Sequence, residues 1–327
     1  MRAVRVTDLI GPEGGSLIEV PTPRPGPGEV LLQVEAAPVN FVDLVTIRGE
    51  YQFRPALPYT PGKAPAGTVL AVGDGVEGVE PGTRVLAMAE YGGYAEQALA
   101  PGDQLYRLPD GVASTTAATL GVAWDTAWMA LHDRARLQPG ERVLVTGASG
   151  AVGQAAIELA QASGAGTVLA TASASGREPP GVDPGDVVYL DDEPVRDRLR
   201  DQVRDRLDGE PVDVVIDTLG GDAFDGAIRC LGWRGRLVTI GYASGRIPTL
   251  KVNYLLLKNI EVSGLQISDY RRRRPDLVHR AFEEILGLVA ADQVRTPEVE
   301  SFPLEEWQTA MRQVEARATR RRVVLVP

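Results

Sequence analysis

A glycine-rich turn between a predicted strand and a predicted helix offers the clearest chemistry in this sequence. Residues 147–153 read GASGAVG, after an apolar run and before an amphipathic stretch at residues 154–163. Small residues let the backbone approach a pyrophosphate closely, and a helix start supplies unpaired N–H groups and a favourable dipole. We therefore predict that Gly150, Ala151 and Val152 bind a dinucleotide; a plain packing turn is the alternative.

The residues after the next predicted strand bear on which dinucleotide binds. An NAD site usually places a carboxylate there to bind the ribose 2′-hydroxyl. Residues 170–177 read ATASASGR instead, with no carboxylate before Glu178. Hydroxyl and guanidinium groups suit a 2′-phosphate, so we predict that Ser173 and Arg177 bind NADPH. An exposed loop arginine is the alternative interpretation of Arg177.

Composition excludes several other kinds of site. The chain has 327 residues, a net charge of −10, one cysteine and two histidines. The negative charge argues against a nucleic-acid partner. A disulfide within the chain, a cysteine-rich zinc site and a multi-histidine metal site are excluded by residue count. We expect metal-free chemistry and, because no signal-like or membrane-length apolar segment is present, a cytoplasmic protein without a membrane partner.

The elements that position these residues fall into two predicted domains. Residues 1–115 contain short β-type runs separated by Pro/Gly turns, which is typical of a compact, mostly β domain. Residues 116–262 alternate apolar strands with helices, which predicts a doubly wound parallel sheet. The tail, residues 263–327, ends in an apolar strand that we expect to join the first domain. The predicted fold class is α/β.

Three other features have plainer interpretations. Cys230 lies between apolar neighbours and is predicted to be a buried small hydrophobe rather than a nucleophile. Tyr254 and Lys258 have the spacing of a short-chain dehydrogenase pair, but we predict a helical packing turn. The arginine run at residues 271–274 is predicted to be a solvated approach to a helix.

Several motifs together resemble the zinc-independent quinone oxidoreductase branch of the medium-chain dehydrogenase/reductase superfamily. These motifs are NFVD at residues 40–43, RGEY at 48–51, GGYAE at 92–96, the glycine turn, and LLLKN at 255–259. The resemblance implies a GroES-like catalytic domain built from both chain ends, and a Rossmann domain that binds NADPH. It further implies an active site in the cleft and a homodimer.

The resemblance also suggests individual roles. Tyr51 corresponds to a tyrosine proposed as proton donor in related enoyl reductases; a pocket wall or ordinary packing are the alternatives. Asn40 is expected beside the nicotinamide ribose, with an Asx turn as the alternative. Thr126 and Tyr242 are expected near the nicotinamide, and Arg317 is a further cofactor contact.

The sequence departs from this family in places. Where zinc-dependent relatives have a His-Glu pair, this chain has Gly62-Lys63-Ala64. Residues 178–186, with three prolines and two glycines, cannot form the helix that relatives have there. The expected activity is NADPH-dependent reduction of a quinone or an α,β-unsaturated carbonyl. The alternatives are a dedicated enoyl or enone reductase of a biosynthetic pathway and a non-catalytic binding or structural protein on a reductase fold.

Overall fold

The computed structural model describes residues 1–52, 54–173, 178–191 and 194–327. These residues form two compact units. The first unit comprises Met1–Val122, Arg271–Asp292 and Thr296–Pro327, and the second comprises Ala123–Tyr270 and Gln293–Arg295.

The strands in chain order are β1 (Arg2–Val6), β2 (Gly15–Glu19), β3 (Glu29–Pro38), β4 (Ala66–Val72), β5 (Arg84–Ala87), β6 (Gln97–Pro101), β7 (Leu105–Arg107), β8 (Arg142–Thr146), β9 (Thr167–Ala172), β10 (Val187–Tyr189), β11 (Val212–Asp217), β12 (Leu231–Thr239), β13 (Glu261–Gly264), β14 (Val299–Pro303) and β15 (Arg322–Val326). The helices are α1 (Phe41–Ile47), α2 (Ser114–Trp128), α3 (Ala151–Ala162), α4 (Val195–Arg206), α5 (Gly221–Cys230), α6 (Asn253–Lys258), α7 (Ile267–Arg273), α8 (Pro275–Ala290) and α9 (Trp307–Glu315). None of the helices in the described ranges is both long and apolar enough to cross a bilayer.

The first unit is built on a largely antiparallel sheet in the order β14-β15-β3-β4-β5-β7, with β6 also paired to β3. The apolar strand at the chain end takes part in this sheet, because β15 pairs with β3 through Val324 opposite Pro38. Helix α9 adds Trp307 and Met311 to the buried core beside Tyr94. The last strand is therefore part of the same unit as the beginning of the chain, and its residues 323–325 are buried.

The second unit contains a six-stranded sheet in the order β10-β9-β8-β11-β12-β13, and every pair in it is parallel. Strands β8 to β11 are mostly apolar and buried, as expected for a sheet covered on both faces, whereas β12 and the edge strand β13 carry exposed polar residues. The strand order reverses between β8 and β11, and ligands of such folds bind outside the carboxyl ends of the strands at that switch point. The predicted α/β fold class is confirmed.

Candidate active site

The glycine cradle, residues 147–153, joins β8 to α3 at the switch point. Gly147 has a positive φ of 65°, and its N–H donates to the Thr171 hydroxyl at 3.1 Å. A Cβ on Gly153 would lie 2.5 Å from the Gly147 carbonyl oxygen and 2.7 Å from the Ala148 Cα. The first turn of α3 therefore packs directly on the backbone of the turn, and only glycine permits this approach.

Helix α3 begins with backbone donors that have no partner inside the helix. Its first hydrogen bond runs from the Gln154 N–H to the Gly150 carbonyl at 2.9 Å, so the N–H groups of Ala151 and Val152 precede it. Unpaired donors and the helix dipole favour an anion at this position. The cradle thus has the shape and polarity that a dinucleotide pyrophosphate requires.

A buried carboxylate accepts a hydrogen bond from the residue that precedes the cradle. Asp217 ends β11 and accepts a hydrogen bond of 2.5 Å from the Thr146 hydroxyl at the end of β8. The Gly220 N–H also donates to Asp217, at 3.2 Å. Burial raises the pKa of Asp217, and the hydrogen bonds from Thr146 and Gly220 oppose that rise. Asp217 therefore connects the ends of β8 and β11 by a hydrogen bond at the switch point. This role was not identified in the sequence analysis.

The predicted 2′-phosphate site has a different neighbour from the one expected. The Ser173 hydroxyl donates to the Asp191 carboxylate at 2.7 Å, and Asp191 follows β10, the strand paired with β9. The sequence interval after β9 lacks a carboxylate, but the fold brings one there from 18 residues further along the chain. Arg177, the other residue predicted here, lies outside the described residues.

The residues expected near the nicotinamide occupy separate positions in the second unit. Thr126 lies in α2 and is buried. Tyr242 follows β12 and has 44% of its surface exposed. A Cβ on Gly220 would lie 2.9 Å from the Tyr242 ring, so this ring packs against the turn after β11. At the end of β12, the buried Thr239 hydroxyl has no hydrogen-bond partner among the described residues.

In the first unit, Asn40 precedes α1 and is buried. Its backbone N–H donates to the Asp43 carboxylate at 2.9 Å, and its side-chain oxygen accepts from Arg322 at 3.1 Å. Its amide nitrogen, Nδ2, is buried without a hydrogen-bond partner in the described part of the chain. A buried donor without a partner is costly, so this atom is suited to a ligand oxygen.

Charged groups surround Asn40. Burial raises the pKa of Asp43 to about 6, and the Lys63 charge and the hydrogen bond from the Asn40 backbone N–H oppose that rise. Burial lowers the pKa of Arg322, against the attraction of the Asp43 charge. Burial, and next the Asp43 charge, raises the pKa of Tyr94 well above its usual value. We call Asn40, Asp43, Lys63, Glu90 and Arg322 the polar cluster.

Lys63 links the polar cluster to Tyr51. Its positive charge favours the ionised form of Asp43 and so opposes the rise in the pKa of that carboxyl, and its ammonium forms an ion pair with Glu90. The same ammonium lies 5.7 Å from the ring centroid of Tyr51 and 5.1 Å from that of Tyr91. The structure therefore places two of the predicted site residues, Asn40 and Tyr51, near charged groups of the polar cluster.

The loop that carries Lys63 depends on the glycine before it. Gly62 has a φ of 100°, and a Cβ there would lie 2.3 Å from the Tyr94 ring. Sequence analysis noted Lys63 only as a departure from zinc-dependent relatives and gave it no role. The rarity of lysine in this chain was the one sequence signal that could have drawn attention to Lys63, because only three of the 34 basic residues are lysines.

Two expectations about arginines have different outcomes. The predicted solvated run at residues 271–274 is wrong for Arg271, which is 4% exposed and donates to Glu90 at 3.2 Å. Arg271 belongs to the first unit, where a carboxylate 181 residues away in the chain accepts its hydrogen bond. Arg317 is exposed after α9 with a φ of 51°, and its predicted cofactor contact stays a prediction.

The remaining candidates are structural. Cys230 is buried and its pKa is raised by burial to about 12, so its thiol is not activated. The Lys258 ammonium donates to the carbonyls of Arg229 and Leu231 at 2.9 and 2.6 Å, which caps the end of α5. Within the described ranges, no group of three or more His, Cys, Asp or Glu side chains could hold a metal ion.

Comparisons with known proteins agree with this architecture. A family profile described as "Alcohol dehydrogenase GroES-like domain" matches residues 26–110, and one described as "Zinc-binding dehydrogenase" matches residues 151–284. Mouse quinone oxidoreductase-like protein 2 is 38% identical over 273 residues, covering 83% of this chain and 77% of that relative.

Solved structures give the same result. The native structure of a mycobacterial quinone oxidoreductase superposes with a TM-score of 0.91 at 29% identity, over 100% of both chains. A mycobacterial protein solved in complex with NADPH gives a TM-score of 0.88 at 28% identity, also over 100% of both chains.

Proposed function

Because this chain belongs to the zinc-independent quinone oxidoreductase branch of the medium-chain dehydrogenase/reductase superfamily and is an oxidoreductase, we propose that it reduces quinones or α,β-unsaturated carbonyl compounds with NADPH. The observation that carries this proposal is the glycine cradle, where Gly153 packs on the backbone of the turn. That packing leaves the α3 donors available to a pyrophosphate.

Each part of the proposed reaction has a candidate residue. When bound, the nicotinamide supplies a hydride to an electron-poor carbon conjugated to a carbonyl. Gly150, Ala151 and Val152 hold the pyrophosphate, and the unpartnered Asn40 amide binds the ribose of the cofactor. Tyr51 donates a proton or a hydrogen bond to the reduced substrate, and Thr126, Tyr242 and Arg317 are further proposed cofactor contacts.

Different observations favour NADPH and NADH as the cofactor. The NADPH complex of the mycobacterial relative and the Ser173 hydroxyl support NADPH, together with the predicted role of Arg177. The Asp191 carboxylate, 2.7 Å from Ser173, favours NADH, because a carboxylate there binds a ribose diol and repels a phosphate. Initial rates with each cofactor, measured side by side, distinguish the two.

A homodimer is part of this proposal. Several large apolar side chains of the second unit are more than two-thirds exposed, and such residues mark association surfaces when they cluster. They are Trp233, Ile247, Val252, Leu256 and Leu257. Light scattering is expected to give twice the monomer mass, and Leu256→Glu is expected to shift it toward the monomer.

The proposed function is tested by NADPH consumption with a small quinone and an acyclic enone, assayed separately. Turnover of the quinone alone supports a general quinone reductase, and turnover of the enone alone supports a dedicated enone reductase. Absence of turnover with both, together with NADPH binding, would favour a non-catalytic binding protein and contradict the proposal.

A further inference from the structure

The Lys63 ammonium is buried beside the proposed proton donor and has few partners of its own. Its side chain is 4% exposed. An ammonium carries three N–H donors, and the Glu90 carboxylate is the one hydrogen-bond acceptor that the described residues give it. Lys63 therefore has N–H groups without an acceptor among the described residues, and a buried donor without an acceptor costs free energy.

Two aromatic rings lie near this ammonium. The Tyr51 and Tyr91 ring centroids lie 5.7 and 5.1 Å from Nζ, and both residues are partly exposed. Tyr59 meets Tyr91 edge to face, with centroids 5.7 Å apart. The ammonium thus has the rings of two partly exposed tyrosines near it, and flat rings of this kind suit contact with a planar conjugated molecule.

We propose that Lys63 is the oxyanion-binding residue of the reduction: its ammonium donates to the carbonyl oxygen of a quinone or enone and stabilises the negative charge that develops there. This inference rests on the proposed function and names the group that polarises its substrate. Tyr51, beside Lys63, supplies the proton, so one residue stabilises the negative charge and the other protonates the intermediate.

The electron balance shows why a cation is needed at this oxygen. Hydride addition to the β carbon of an enone breaks the C=C π bond, and the displaced pair forms a new C=C bond to the carbonyl carbon. The carbonyl π pair then ends on oxygen as an enolate. Protonation at the α carbon restores the carbonyl and leaves the saturated product.

Burial makes this cation effective. The attraction between two charges grows as the local dielectric constant falls, and a fixed donor costs no reorganisation during the reaction. The rival acceptor, Glu90, is also held by Arg271 at 3.2 Å. Arg271 therefore shares the Glu90 charge and leaves Lys63 better able to bind a second oxyanion.

The first experiment measures binding without turnover. Dissociation constants for 4-nitrophenolate, which carries an oxyanion on a flat ring, are compared with those for neutral nitrobenzene. The wild-type protein is expected to prefer the phenolate by about tenfold or more. Lys63→Met should abolish that preference, Lys63→Arg should retain part of it, and Lys251→Met, which removes an exposed lysine of the second unit, should leave it unchanged.

A further variant protects the test against misfolding of Lys63→Met. Glu90→Gln removes the competing carboxylate from a side chain that is 35% exposed, and it is expected to strengthen the phenolate preference. A phenolate preference that survives Lys63→Met, or that Glu90→Gln leaves unchanged or weakens, would overturn the assignment.

Steady-state kinetics separate this inference from the proposed function. Lys63→Met is expected to lower kcat by about 10²–10³-fold, the usual cost of losing an oxyanion donor, with the KM for NADPH unchanged. Full activity in Lys63→Met would refute the role of Lys63 while the reductase function stands. A wild-type protein that shows the Lys63-dependent phenolate preference but reduces neither acceptor would refute the reductase function and leave the anion site.

Discussion

The glycine cradle and the polar cluster solve the problem of binding a polar ligand in opposite ways. The cradle uses backbone N–H groups and the absence of side chains, so its polarity does not depend on pH. The polar cluster uses ionisable side chains whose charge depends on burial and on pH, as in Asp43, whose pKa burial raises to about 6. The comparison shows that the cradle should be sensitive to volume, whereas the polar cluster should be sensitive to charge and pH.

The largest effect is expected when one methyl group is added to the glycine cradle, which tests its sensitivity to volume. Gly153→Ala would place Cβ 2.5 Å from the Gly147 carbonyl oxygen, so the turn must move away from α3. We expect the Kd for NADPH to rise by at least about 10²-fold, since displaced backbone donors lose most of their contact with phosphate.

Titration calorimetry measures this change, and Gly287→Ala is the matched control. A Cβ at Gly287, in α8, meets nothing within 4 Å, so its Kd for NADPH should equal that of the wild-type protein. Equal Kd values in all three proteins would show that the cradle does not bind the cofactor.

The second prediction removes one hydroxyl beside the polar cluster. Tyr51→Phe keeps the ring that lies near the Lys63 ammonium and removes only the proposed proton donor. We expect kcat to fall by roughly 10²-fold, as for loss of a general acid, with little change in the KM for NADPH. An unchanged kcat in steady-state assays would reduce Tyr51 to a wall of the pocket.

The third prediction uses pH to test charge in the polar cluster. The pKa of Asp43 is raised from 3.8 to about 6 by burial, so the folded state binds more protons than the unfolded state between these values. The free energy of unfolding contributed by Asp43 therefore increases as pH falls through 6 toward 4.

Asp43→Asn removes this titration and keeps a side-chain oxygen for the Asn40 N–H. Relative to Asp43→Asn, the wild-type protein should gain about 2 kcal/mol of stability between pH 7 and pH 4.5, from a shift of about two pKa units. Urea unfolding at the two pH values measures this difference. A difference that stays constant with pH would contradict the assignment of the raised pKa to Asp43.

The smallest expected effect concerns the adenosine end of the site. Asp191→Asn removes the carboxylate beside Ser173 and should shift the ratio of kcat/KM for NADPH over NADH toward NADPH by about tenfold, roughly the effect of one nearby charge. Glu261→Gln, at an exposed position on the far edge strand of the same sheet, is the control. If Asp191→Asn leaves the ratio unchanged, Asp191 does not contact the ribose.

The residues that sequence analysis identified correctly are those whose neighbours in space are also neighbours in the chain. The strand, turn and helix around Gly147 and Gly153 lie within one short segment, and their spacing reports their geometry directly. The helical turn around Tyr254 and Lys258 was predicted for the same reason, because all of it lies within α6 (Asn253–Lys258). Cys230 was correctly predicted to be buried from its apolar neighbours.

The predictions that failed or were absent involve partners far apart in the chain. Asp191 reaches Ser173 because β10 pairs with β9, and Arg271 reaches Glu90 across 181 residues. Arg322 contacts Asn40 across 282 residues because β15 pairs with β3. A local pattern carries no information about such pairs, since sheet pairing decides them.

The amino-acid sequence by itself determined the parallel sheet, the glycine cradle and the absence of cysteine and histidine sets for a metal, because periodicity, spacing and composition are local or global counts. Only the tertiary structure decided the charges around Asn40 and the place of Lys63. Burial sets the free energy of an ionised group, and burial depends on which distant elements pack around it. The same lysine would be an ordinary surface cation on another fold.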